Sequence, residues 1–265
     1  MSLQIDLKDK TAMITGVTSG IGAGVAKMFA RSGANVVGCG TSHPDSDEAK
    51  NFTKSVAEQD QPSLYCKTDV TNKGELEQLV AATADKFGRI DILVSNAGAN
   101  IFEGAEDCTE EKWKENIELN LTAHWHLARL CKPYLDKANP GVIIIMTSNH
   151  AFQTISGCFP YNVTKTALTG LVRSLAIEWG PKIRTVGLAP GFIDTPGNQK
   201  WFDSFDDPEA ERQRTIDLHP VKRIGSAHEV GAWCVFLASE YAAFSSGTTY
   251  LLDGGRSALM QDNGI

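Results

Sequence analysis

Tyr161 and Lys165 stand four residues apart, and Ser148 lies thirteen residues before the tyrosine. Beyond them Leu168, Leu171, Val172, Leu175 and Trp179 recur at helical spacing, which predicts one amphipathic helix with Tyr161 and Lys165 on one face. An ammonium beside a phenol favours the phenolate, so Lys165 is expected to draw the tyrosine pKa down from its usual value of about 10. Tyr161 is then a candidate general acid and base. So short a pattern also fits an ordinary helix entry with a surface lysine, and the surroundings decide between the two. Val142-Ile143-Ile144-Ile145-Met146 follows Pro140-Gly141 as an apolar run, the mark of a strand buried on both faces, and leads into Thr147-Ser148. The Ser148 hydroxyl is thereby placed at a strand's carboxyl end, where open α/β sheets bind ligands.

A second chemical feature lies near the start. Thr11-Ala12-Met13-Ile14-Thr15 reads as a strand running into Gly16-Val17-Thr18-Ser19-Gly20-Ile21-Gly22 and then a helix through Arg31. A strand, a glycine-rich turn and a helix N-terminus together make a phosphate cradle, because residues without Cβ let backbone N–H groups approach a pyrophosphate. After the second strand, Asn35-Val36-Val37-Gly38-Cys39, an NAD-selective site usually carries Asp or Glu for the ribose 2′-hydroxyl; here the segment reads Gly40-Thr41-Ser42-His43. Without a carboxylate, Thr41, Ser42 or His43 is free to bond a 2′-phosphate, yet no Arg or Lys adds attraction. The reading leans to NADP over NAD.

These features need elements to carry them. Helices at about 47–58 and 73–87 alternate with strands at 63–67 and 91–94, a βαβα rhythm that means a parallel, doubly wound sheet. Asp69, just past the third strand, is read as a cap for the next helix or as a partner for an adenine amino group, with capping the nearer reading. Ser95-Asn96-Ala97-Gly98 follows the fourth strand with residues small enough for a ribose to lie on the backbone, and it also fits a plain turn. A long helical region from Thr109 to about Lys137 contains Asn120 in an apolar run, where an amide needs a specific partner. After the Tyr161 helix, a strand at 183–188 ends in Ala189-Pro190-Gly191-Phe192-Ile193-Asp194-Thr195. No strand pattern follows from there to about Pro220, so that segment is read as a lid. A helix at 227–238 and a strand at 248–252 close the sheet.

With 265 residues and a net charge of −7, the chain is read as one α/β domain spanning 1–265, with the lid at about 192–220. No Lys/Arg block points to nucleic acid or an anionic membrane, and neither a signal-peptide core nor a membrane-length apolar run is apparent, so a cytoplasmic protein is expected. Cysteines 39, 66, 108, 131, 158 and 234 show no zinc spacing and are read as reduced thiols; no metal site is expected.

Taken together and in order, Thr15-Gly16-x-x-x-Gly20-x-Gly22, Asp69, Ser95-Asn96-Ala97-Gly98, Asn120, Ser148, Tyr161-x-x-x-Lys165 and Pro190-Gly191 resemble the short-chain dehydrogenases/reductases over essentially the whole chain. The resemblance implies a Rossmann-like seven-stranded sheet in the order 3-2-1-4-5-6-7 and usually a homotetramer that packs the Tyr-bearing helices together. It implies Tyr161 as catalytic acid/base, Lys165 as the residue that lowers its pKa and holds the nicotinamide ribose, and Ser148 as donor to the carbonyl oxygen. Asn120 matches the residue that holds a relay water. The cofactor set it implies is Gly16, Thr18, Ser19, Gly20, Ile21 and Gly22 for the pyrophosphate and Thr41 and Ser42 for the ribose. Asp69 and Val70 fall to the adenine, Asn96, Ala97 and Gly98 to the ribose side, and Pro190, Gly191, Ile193 and Thr195 to the nicotinamide. Two positions depart from the family pattern: Ser95 stands where the family usually has Asn, and the cofactor turn Gly40-Thr41-Ser42, the larger departure, leaves both NAD and NADP open.

Candidate substrate contacts are Ala99, Asn100, Asn149, His150, Gln153, Phe159, Asn198 and Trp201, whose polar groups favour a hydroxylated substrate. His150 is read first as a structural imidazole and Trp201 as lid packing; each also fits a sugar contact. Gly157-Cys158-Phe159-Pro160-Tyr161, the Trp201-Phe202-Asp203-x-Phe205 segment and His219-Pro220 are similar to family members that oxidise aldoses or sugar acids at the lactol carbon. The alternatives are a reductase of 3-oxoacyl thioesters or other ketones and, with the full catalytic set against it, a non-catalytic nucleotide-binding protein.

Overall fold

Alternation along the strands sends side chains into two apolar layers, and helices seal both. In the computed structural model, which describes residues 4–259, the order of the first half is β1 (Thr11–Thr15), α1 (Gly20–Arg31), β2 (Asn35–Gly40), α2 (Asp47–Ala57), β3 (Ser63–Lys67), α3 (Lys73–Phe87), β4 (Ile92–Ser95) and α4 (Glu110–Ile117). A π-helical turn, Glu118–Thr122, leads into α5 (Ala123–Ala138). Then come β5 (Gly141–Met146), α6 (Tyr161–Trp179), β6 (Ile183–Pro190), β7 (Ile193–Asp194), α7 (Pro196–Phe202), α8 (Pro208–Asp217), β8 (Gly225–Ser226), α9 (Ala227–Ala238) and β9 (Thr249–Leu252).

Seven strands form one parallel sheet in the order β3-β2-β1-β4-β5-β6-β9, and β7 pairs with β8 separately. The fold is therefore the expected Rossmann-like α/β sheet, with β9 as its seventh strand. Ala12, Ile14, Val142 and Ile144 enter the layer under α1, α2 and α9 with Phe29, Phe52 and Val230. Met13, Ile143 and Ile145 face the opposite way, onto Leu79, Leu127, Leu168 and Val172 of α3, α5 and α6. Each such Ile or Phe contributes roughly 1.5–3 kcal/mol by leaving water.

Local signals set the boundaries. Asn72 caps α3 by accepting from Gly74 N and Glu75 N, and Gly88 ends it at φ 70°. Ser226 and Glu229 form a capping box on α9. One expectation needs correction: the helical region at 109–137 is not continuous, because a π turn carrying Asn120 separates α4 from α5. Within the segment expected to be a lid, α7 and α8 form, each opened by a capping side chain and a proline (Thr195-Pro196 and Asp207-Pro208). No helix of the described residues is long and apolar enough to cross a membrane. All six cysteines are free thiols, four of them buried.

Candidate active site

The carboxyl ends of β1, β4, β5 and β6 meet along one edge, and the predicted residues gather there. At the β1 end, Gly16 turns with φ 74° and its N–H donates to Cys39 O at 2.8 Å. A Cβ on Gly22 would stand 2.0 Å from Gly16 O, so only glycine fits the turn. Ser19 precedes α1 without a side-chain cap, leaving the first N–H groups of the helix for another acceptor. Thr15 Oγ1 accepts from Asn96 N and Ala97 N at 2.9 and 2.8 Å, and Asn96 Nδ2 donates to Thr15 O at 2.8 Å, which fixes the β4 loop beside the cradle. Thr195 closes the opposite side, its methyl 3.4 Å from the Cβ position of Gly20. This glycine-walled cradle with free helix N–H groups fits the pyrophosphate of a nicotinamide dinucleotide.

At the adenosine end, Ser42 O accepts from the Tyr65 hydroxyl at 2.9 Å, and Thr41 is exposed. Thr18 lies against Gly40, whose Cβ position is 3.1 Å from Thr18 Oγ1. Asp69 does not cap α3, because Asn72 holds that role. The Asp69 carboxylate instead accepts from Thr71 N and Thr71 Oγ1 at 2.9 and 2.7 Å, while Val70 is buried beside it.

Ser148 and Tyr161 are both buried, two residues past β5 and at the first position of α6. Lys165, one turn on, donates from Nζ to Met146 O at 3.1 Å and lies 5.5 Å from the centre of the Tyr161 ring. A Cβ on Gly98 would sit 2.6 Å from Asn120 Oδ1 and 3.6 Å from Lys165 Nζ, so all three converge. Asn120 has the specific partners its setting demanded: Nδ2 donates to Ala99 O and Asn116 Oδ1 at 2.9 and 2.8 Å, and Oδ1 accepts from Ala99 N at 3.1 Å. Asn116 Nδ2 donates to Pro160 O at 2.9 Å and its Oδ1 also accepts from Thr164 Oγ1. These amides tie α4 and the π turn to the first turn of α6.

The electrostatics correct the sequence reading. Burial pushes the Tyr161 phenol up to about 12, with the Ser148 hydroxyl only partly opposing it, and burial pulls Lys165 down to about 8. Each charged form loses its hydration in the packed site, which favours the neutral form of both. The structure therefore holds Tyr161 as a phenol, a proton donor at neutral pH.

The remaining candidates divide. His150 lies with its ring centre 6.0 Å from that of Tyr161, and Ser148 Oγ accepts from its backbone N–H at 3.2 Å. Asn149 Oδ1 accepts from Ser148 Oγ at 3.4 Å. Phe159 stacks on Trp113 of α4 at 5.6 Å, and Asn198 Nδ2 donates to Ile193 O at 2.7 Å, so both are engaged within the fold. Trp201 joins Phe192, Phe202 and Phe205 in an aromatic cluster on α7 and its flanking residues. Asn100 is exposed.

Sequence reasoning missed Phe102, whose ring meets Tyr161 edge-on at 5.2 Å, and no spacing signalled it. It also missed Asn116 and His124, although Asn116, Asn120 and His124 fall at four-residue steps and form a polar stripe readable beforehand. His124 pairs with Ser95 across 2.7 Å, giving that departure from the family pattern a buried partner. Burial, followed by the charge of Lys165, holds its imidazole down at about 3.

Known proteins resemble the chain over nearly its whole length. Residues 16–257 match the family described as Enoyl-(Acyl carrier protein) reductase. The chain is 35% identical over 261 residues to Dehydrogenase/reductase SDR family member 4 of Homo sapiens, covering 96% of this chain and 90% of that one. The L-sorbose reductase of Gluconobacter frateurii, solved with NADPH and L-sorbose, superposes with a TM-score of 0.92 at 33% identity, over 97% of this chain and 100% of that one. The aldohexose dehydrogenase of Thermoplasma acidophilum superposes with a TM-score of 0.89 at 26% identity, over 99% and 100%.

Proposed function

The chain belongs to the short-chain dehydrogenase/reductase family, and on that premise we propose that it interconverts a secondary alcohol or lactol and its carbonyl on a sugar or other polyhydroxylated compound. The observation that carries the reading is the convergence of Ser148, Tyr161, Lys165 and Asn120 beside the glycine cradle. A bound nicotinamide dinucleotide supplies or accepts the hydride; the cradle at Gly16–Gly22 and the loops at Asn96–Gly98 and Pro190–Thr195 are the residues that would hold it. Ser148 and Tyr161 donate to the substrate oxygen as charge develops on it, and one preorganised donor of this kind is worth about 3 kcal/mol. Tyr161 gives up its proton in reduction and recovers it in oxidation. Lys165 and Asn120 lie behind it, where a proton returning to the phenol passes.

NADP is favoured over NAD because the turn at Gly40-Thr41-Ser42 presents hydroxyls and no carboxylate. Exposed Trp125 on α5 with Val163 and Ile177 on α6 supports pairing of copies through these helices into a tetramer, which light scattering tests. Ketone reduction with NADPH is the second reading, favoured by the phenol being held protonated.

Initial rates with NAD and NADP over aldoses, ketoses, polyols, sugar acids and 3-oxo esters, at neutral and alkaline pH, test this. Aldose or polyol oxidation that rises with pH supports the first reading. Activity confined to 3-oxo esters overturns it.

A further inference from the structure

One cation at the active-site edge has no part in the chemistry above. Strand β9 runs parallel to β6, with Leu252 opposite Pro190, so the chain beyond it emerges on the same edge as Ser148 and Gly191. Gly191 N donates to Leu252 O at 3.0 Å, and Asp253 presses on Gly191 so closely that a Cβ there would stand 2.6 Å from its own. Gly254 and Gly255 turn at φ 62° and 83° and seat the chain against Val221 and Pro220, where the lid ends. Both Asp253 carboxylate oxygens are taken by this turn, accepting from Gly255 N and Ser257 N at 3.0 and 2.8 Å. The next side chain is Arg256.

Arg256 is half-buried and makes neither an ion pair nor a side-chain hydrogen bond among the described residues. Its charge reaches His150, which burial first and Arg256 second hold below the ordinary imidazole value. The His150 ring in turn lies 6.0 Å from that of Tyr161 and 6.1 Å from that of Phe102. A half-buried guanidinium without a carboxylate, on the turn that packs against Gly191 at the edge carrying the proton donor, is available to a ligand anion.

We propose that Arg256 binds a carboxylate on the substrate, so that the preferred substrates are hydroxy or oxo acids of the sugar-acid type and not neutral sugars. This rests on the active-site reading above and narrows its substrate class. A single guanidinium matches a singly charged carboxylate in bidentate fashion. A phosphate monoester dianion calls for further cations, and the nearest in the site, Lys165, is buried and bonded to Met146 O. The hydride and proton steps are unchanged.

The test uses the protein loaded with NADP and the probes glucuronate, glucose and glucose 6-phosphate, with binding followed by calorimetry and turnover by cofactor absorbance. Glucuronate is expected to bind wild type at least tenfold tighter than glucose. Arg256→Gln should cut glucuronate affinity and kcat/KM about 100-fold, mainly through KM, while leaving glucose within about threefold; Arg256→Lys should recover part of the loss. The inference is overturned if wild type does not favour glucuronate, if Arg256→Gln weakens acid and neutral sugar alike, or if glucose 6-phosphate is the ligand that depends on Arg256. Failure of the underlying reading is separate, since it shows as full turnover in Tyr161→Phe, whereas the calorimetric comparison of wild type with Arg256→Gln needs no turnover.

Discussion

The cradle edge and the 192–220 segment, the proposed lid, are built on opposite principles. In the cradle, backbone atoms form the surface, and Gly16, Gly22 and Thr15 are fixed by contacts of about 3 Å or less that leave no room for another residue. In the lid, side chains form the surface: Trp201 and Phe205 are exposed, and α7 and α8 are short helices held by local caps and a loose aromatic cluster. A site made of backbone tolerates few sequences and handles a constant ligand. A site made of exposed side chains can be revised one residue at a time, as a variable substrate requires.

Predictions that sharpen this contrast run from the buried edge outward. Tyr161→Phe should lower kcat by about 10³-fold or more while shifting the unfolding free energy by less than about 1 kcal/mol, as steady-state rates and urea unfolding would read. Gly22→Ala should weaken NADP binding at least tenfold and cost about 1–3 kcal/mol of stability, because the new methyl meets Gly16 O; calorimetry with unaltered affinity would break the contrast. Asn116→Ala should destabilise by about 1–3 kcal/mol through the amides it leaves unpaired, and it should depress kcat more than it raises KM.

The pH response comes next. Reduction uses Tyr161 as phenol and Lys165 as ammonium, so its rate should be level up to about pH 8 and fall above it as Lys165 loses its proton. Because the folded Lys165 pKa lies below the ordinary lysine value of 10.5, the unfolded chain binds more protons between about 8 and that value, and this group adds stability as pH rises through the window. A pH series of rates and of denaturant midpoints checks both signs. The smallest effect belongs to the lid: Trp201→Ala should change KM by about two- to fivefold and leave the unfolding midpoint nearly unaltered.

What was legible in the sequence follows the same divide. The strands, the glycine turn and the Tyr161–Lys165 pair could be read because each rests on a short-range rule: alternation, a missing Cβ, one helical turn; Ser148 followed from the apolar run before it, and Asn120 entered the site only through the family resemblance. The Tyr161 pKa could not be read, since the ammonium at Lys165 was visible in sequence while the burial that raises the phenol is a property of the packed layers. Asp69 and Asn72 are rival caps three residues apart, and only backbone geometry chooses between them. Phe102 reaches Tyr161 through a loop, and α7 and α8 arise from the short cap-proline pairs Thr195-Pro196 and Asp207-Pro208, which carry no apolar periodicity.

The contact between α1 and α9 bears on the order in which the molecule is made. Gly24 lies against Ala227, and Gly231 lies against Gly24 O and Met28, so the helix that opens the cradle is covered by one more than two hundred residues later in the chain. During synthesis the first 225 residues can form most strands, yet α1 keeps an apolar flank open until α9 leaves the ribosome. Competence to bind nucleotide then appears late and abruptly, and chains stalled on the ribosome before Ala238 should be captured by chaperones, whereas released chains should not.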